Sequence, residues 1–109
     1  MMQHKESIKV DDWLKKAEAD FARVGLRLKE TDIEDAAFHL QQAIEKYLKA
    51  FLLSKGWKLK KIHDLEALLD EAVKYSEDLE SFRELCEEVT DIILLSDIRS
   101  LRKGLQRMR

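Results

Sequence analysis

No proline occurs anywhere in the 109 residues, and the three glycines stand singly at positions 25, 56 and 104. Proline and glycine end helices and build tight turns, so a chain punctuated this sparsely favours long uninterrupted helices. A β-sandwich or barrel needs turn residues about every 8–12 positions, and they are missing. The length fits a single domain, taken as residues 1–109. Cys86 has no cysteine partner within the chain, which excludes a disulfide scaffold. Apolar runs such as Ile92-Ile93-Leu94-Leu95 are far too short to span a bilayer, and the opening residues have no apolar export segment. The expectation is an all-α, cytoplasmic, non-membrane protein.

Helical periodicity divides the chain into four segments. The first is expected to start at Asp11 or Asp12, with Val10, Trp13, Leu14, Ala17, Phe21, Val24 and Leu28 as one apolar stripe. Thr31 and Asp32 break the pattern and offer a new cap. The second runs from about Ile33 to Ser54 and stops at Gly56, a good residue just beyond a helix end. Its stripe (Ile33, Ala36, Ala37, Leu40, Ala43, Ile44, Tyr47, Leu48 and Phe51) contains three alanines, which let a neighbouring helix approach closely. Residues 57–62 form a basic connector carrying Lys58, Lys60 and Lys61. Asp64 caps a short third helix built on Leu65, Leu68, Leu69 and Val73. The fourth is expected from Glu77, with Leu79, Phe82, Leu85, Cys86, Val89, Ile92 and Ile93 on one face. Leu94, Leu95 and Ile98 fall outside that arc, so another surface is expected to cover them. Short connections between four such helices predict an antiparallel up-and-down bundle.

Charge is distributed unevenly. Residues 1–63 carry a net +3, residues 64–97 a net −10, and residues 98–109 a net +5, giving −2 overall. An acidic middle repels phosphate, so nucleic-acid contact must use the first half or the tail. On the second helix His39, Gln42, Lys46 and Lys49 recur at spacings of three, four and three beside the apolar stripe. Imidazole, amide and ammonium groups along one edge can hold a phosphate or a base edge. The plainer alternative is a solvated face on which Glu45 and Lys49 form an ordinary i,i+4 pair. His63, next to Lys60 and Lys61 at a helix start, offers a further anion site, against a plain capping role for Asp64. The histidines His4, His39 and His63 lack metal-ligand spacing, and Cys86 sits on an apolar stripe. No catalytic, metal or cofactor site is legible.

The run Ala36-Ala37-Phe38-His39-Leu40-Gln41-Gln42-Ala43-Ile44-Glu45-Lys46-Tyr47-Leu48-Lys49-Ala50-Phe51-Leu52 resembles the signature helix of the HEPN family (higher eukaryotes and prokaryotes nucleotide-binding). Trp13-Leu14-Lys15-Lys16-Ala17-Glu18-Ala19-Asp20 resembles its opening helix, and His63-Asp64-Leu65 with Leu68 and Leu69 the start of its third. The resemblance covers residues 11–99 in order and leaves 100–109 as a basic tail. It implies a dimerising bundle, often encoded beside a minimal nucleotidyltransferase as a toxin–antitoxin pair. Many members cleave RNA without metal, using an arginine followed four to six residues later by a histidine. Arg99 resembles that late arginine and is the last ligand-binding candidate, but Gly104, Leu105 and Gln106 stand where the histidine belongs. The family's final amphipathic helix is expected to be truncated or missing.

The expectation is therefore a nucleotide- or RNA-binding module, catalytically weak or silent, acting as a homodimer and as partner of a minimal nucleotidyltransferase. Its binding residues would be His39, Gln42, Lys46, Lys49, His63 and Arg99. Two alternatives stay open. One is a metal-independent endoribonuclease in which His39 or His63 replaces the motif histidine. The other is a non-enzymatic interaction module built on Leu94, Leu95 and Ile98.

Overall fold

A computed structural model describes the backbone of residues 2–107 and the side-chain surroundings of residues 9–95 and 106. Four α-helices follow one another: α1 (Met2–Lys29), α2 (Ile33–Ser54), α3 (Leu65–Val73) and α4 (Arg83–Arg107). A 3-10 segment, Glu77–Phe82, joins α3 to α4. Among the described residues there is no strand, and no helix is long and apolar enough to cross a membrane.

Two boundaries differ from the sequence expectation. α1 begins at Met2 rather than at Asp11 or Asp12, because nothing between positions 2 and 10 stops a helix and two aspartates need not start one. The fourth helix begins as α-helix only at Arg83, after the tighter 3-10 turn.

The remaining boundaries follow from local chemistry. Asp32 caps α2 by accepting from the Asp35 N–H at 3.1 Å, and Asp64 caps α3 by accepting from the Glu66 N–H at 3.0 Å. At the end of α2 the Gly56 N–H donates to the Leu53 carbonyl and the Trp57 N–H to the Leu52 carbonyl, each at 3.0 Å. This is a Schellman motif with Gly56 at φ +87°, and it turns Trp57 back onto the core. The same pattern closes α1, where Thr31 and Asp32 donate to Leu28 and Arg27. There the left-handed position belongs to Thr31 at φ +58°, a strained conformation for a β-branched residue. Thr31→Gly is expected to raise stability by about 0.5–1 kcal/mol in urea unfolding, the relieved strain outweighing glycine's greater freedom in the unfolded chain.

The core lies where α2, α3 and the start of α4 meet. Leu52, Leu65, Leu68, Leu69 and Cys86 are fully buried there, with Leu48, Trp57 and Ala72 around them. Full burial contributes roughly 1.5–3 kcal/mol for each large side chain. Burial also pushes the Cys86 thiol above its ordinary range, consistent with a packing residue. Arg83 donates to Asp70 at 2.7 Å and so ties α3 to the beginning of α4.

α1 is placed differently. Among the described residues it packs against α2 alone, and the molecule is elongated, 60 × 25 × 25 Å. Alanines 17, 36, 37 and 43 are buried in this seam and let the two helices approach closely. The α1 apolar stripe divides in two. Trp13, Ala17 and Val24 turn to α2, whereas Phe21 and Leu28 are 56% and 53% exposed. The sequence expectation that all seven residues form one core stripe is therefore corrected at Phe21 and Leu28. Phe21 instead walls an apolar groove of about 390 Å³, floored by Ile44, Tyr47 and Phe51 of α2 and bounded opposite by Phe82 and Leu85.

Candidate functional site

The seam between α1 and α2 carries an ionic cluster centred on Asp20. This carboxylate is 4% exposed and lies on the α1 face turned to α2, among Trp13, Ala17 and Val24. From α2, Lys46 donates through Nζ to Asp20 Oδ2, and His39 places Nδ1 3.2 Å from Asp20 Oδ1. A carboxylate only accepts, so His39 Nδ1 is the donor. The opposite ring nitrogen, Nε2, stands 3.5 Å from Asp35 Oδ2. Arg23 Nη1 approaches Asp20 at 3.4 Å from the solvent side. Arg27 Nε lies 2.7 Å from Asp35 Oδ2, although its N–H is not aligned for a hydrogen bond, so that contact is ionic.

Electrostatics at Asp20 are a contest between burial and partners. Burial, the largest single influence, raises the carboxyl pKa. The hydrogen bonds and charges of Lys46 and His39 together outweigh it and hold the group below the ordinary aspartate range.

A second cluster lies one turn further along α2. Glu45 and Lys49 are 5% and 3% exposed and pair at 3.3 Å. Lys49 also stands 5.3 Å from the centroid of the Trp13 ring, a cation–π contact that helps to keep a buried ammonium in place. His63, at the end of the connector, directs Nδ1 to the same Glu45 Oε2 at 3.3 Å and remains exposed.

The expected edge of His39, Gln42, Lys46 and Lys49 is thus not an open ridge. Three of the four are engaged by carboxylates at the seam, and the Glu45–Lys49 pair is buried rather than solvated. Gln42 is half-buried between the two clusters. Asp20 draws Lys46 and His39 together, and Glu45 draws Lys49 and His63 together. The side chains of Ile98 and Arg99 lie outside the described residues. Among the described residues no group of three or more His, Cys, Asp or Glu side chains is arranged to hold a metal ion.

A family model described as "HEPN domain" matches residues 10–104. The chain belongs to the HEPN family. No curated protein and no solved structure matches it. HEPN membership ties the chain to nucleotide- and RNA-related function. In this HEPN chain the anchoring carboxylates Asp20, Asp35 and Glu45 were not among the sequence-derived site residues. Asp20 carried a usable signal, since helical spacing places it at the edge of the apolar arc, about 20° beyond Trp13, where a charge facing a neighbouring helix must find a partner. Asp35 and Glu45 carried none, because a carboxylate beside basic residues on a helix reads as an ordinary surface pair.

Proposed function

We propose that this chain is a nucleotide- or RNA-binding HEPN module without strong catalysis of its own, acting as a dimer and as the partner of a minimal nucleotidyltransferase in a toxin–antitoxin type of pair. The observation that carries the ligand reading is the convergence of Lys46, His39 and Arg23 on the buried Asp20. A buried carboxylate fixes the imidazole and the ammonium from behind. Arg23, with its side chain 55% exposed, stays available at the rim for a phosphate, whereas Arg27 is already paired with Glu30 and Asp35. Titration with an octauridylate is expected to shift amide signals around His39, Gln42, Lys46 and His63, and Arg23→Gln to weaken the binding about three- to tenfold without unfolding the chain. Silence of these amides at millimolar ligand overturns the reading.

One observation favours the endoribonuclease alternative. Asp20 holds Nδ1 of His39, the orientation in which a carboxylate fixes an imidazole so that its other nitrogen can exchange protons. Set against it, the chain lacks an arginine followed by a histidine at the motif spacing. RNA cleavage in EDTA that disappears in His39→Ala would favour this second reading over a silent binding module.

The dimer part of the proposal rests on α4 and the apolar groove. α4 is one helix of 25 residues, about 37 Å long, and its first turns form one groove wall. Its own last turns are therefore held away from the groove, and a second copy is the occupant we assign. Charge supports this choice. Residues 64–97 carry a net −10 and residues 98–109 a net +5, so two α4 helices laid antiparallel across a two-fold axis bring each basic end to an acidic wall.

A further inference from the structure

We propose that Phe38 and Gln42 form a base-recognition subsite beside the Asp20 cluster. A base of a single-stranded RNA stacks on the Phe38 ring while the Gln42 amide meets its edge. The inference rests on the nucleotide reading of the chain and deepens it, because the ionic cluster offers contacts to phosphate and nothing that holds a base.

Phe38 is the exposed ring next to that cluster. It is 46% exposed, and its centroid lies 5.5 Å from that of His39, the imidazole whose Nδ1 Asp20 holds. The two rings meet at 74°, an edge contact rather than a stack. The other exposed rings have different surroundings. Phe21, Tyr47 and Phe82 line the apolar groove, and Tyr75 follows α3 in the acid-rich half of the chain. Phe38 alone among them stands beside an imidazole and an exposed arginine, the setting in which aromatic rings hold the bases of single strands.

Gln42 lies one helical turn beyond Phe38 and so faces the same way. It is half-buried, and its amide has no hydrogen-bond partner among the described residues. An amide presents a donor and an acceptor side by side, which matches the edge of a base. A phosphate uses donors alone, and Arg23 supplies these. Charge orients the strand. Asp35, three residues before Phe38, is held by Arg27 at 2.7 Å. Helical spacing sets Glu34 on the flank of Phe38 away from His39, so its charge keeps the phosphates on the Arg23 side.

The test measures binding of the full chain to two probes by fluorescence anisotropy: an octauridylate, and an abasic octamer with the same ribose-phosphate backbone. Phe38→Ala is expected to weaken octauridylate binding at least about fivefold. The factor should be the same at 50 and 200 mM salt, because no charge is removed. Phe38→Tyr keeps a ring and is expected to bind as wild type does. Gln42→Leu is expected to weaken octauridylate binding about two- to tenfold. The abasic octamer keeps the phosphates but has nothing to stack, so it should bind wild type and variants alike. Thermal unfolding checks that each variant keeps the fold. Octauridylate binding unchanged in Phe38→Ala or in Gln42→Leu, or an equal loss with the abasic octamer, overturns the subsite and leaves the nucleotide reading standing. A wild-type chain that binds neither octamer overturns both.

Discussion

Asp20→Asn is expected to lower the unfolding free energy by about 2–3 kcal/mol near neutral pH, and most of that loss should vanish in acid. The amide keeps the carboxylate's size but removes its charge, and its NH₂ is a donor where Lys46 and His39 also donate. Lys46, with its side chain 22% exposed, can recover some water, which keeps the cost below that of severing a fully buried pair. The pH dependence follows from the direction of the shift. The folded-state pKa of Asp20 lies below its unfolded value. Its stabilising contribution is therefore complete above the unfolded value of about 3.9 and is lost as pH falls through the lower folded-state value. Urea unfolding from pH 3 to pH 8 should give a wild-type advantage that is flat above about pH 5 and narrows below pH 4. A variant as stable as wild type at pH 7, or a gap undiminished at pH 3, would contradict the role given to this carboxylate.

Phe21→Glu is expected to convert the proposed dimer to monomer, weakening self-association at least about 100-fold, or about 2.7 kcal/mol. Phe21 is 56% exposed on one chain, so a glutamate there meets solvent in the monomer and costs the fold little. In the proposed dimer the same position would be an apolar wall against a second copy, and a carboxylate would be buried without a partner. Sedimentation equilibrium measures the association, and thermal unfolding checks that the fold is unchanged. Because the proposed pairing sets the acidic half of α4 against the basic half of its copy, added salt should weaken it as well. A wild-type chain that sediments as a monomer at high micromolar concentration rejects the assignment of the groove.

Much of the fold was legible because its signals are local. The caps at Asp32 and Asp64, the stop at Gly56 and the α3 stripe of Leu65, Leu68 and Leu69 depend on neighbours within one or two turns, and the structure keeps them all. The HEPN match over residues 10–104 agrees with the resemblance in the α2 signature. What the sequence could not convey depends on register between distant segments. Lys46 meets Asp20 across 26 positions and His63 meets Glu45 across 18, separations that helical spacing on a single helix cannot link. The same spacing marks Phe21 and Leu28 as apolar without saying what covers them. Lys49 reads as solvent-facing on α2 alone, and becomes buried once Trp13 of α1 lies over it.

Among the described residues α1 packs against α2 alone, which has a consequence for binding. Asp20, with Lys46 and His39, is the ionic tie across that seam. Under the proposed ligand reading, a guest that bridges Arg23 on one rod and His39 on the other would add a second tie across the hairpin, so occupancy would stabilise the packing of α1 as well.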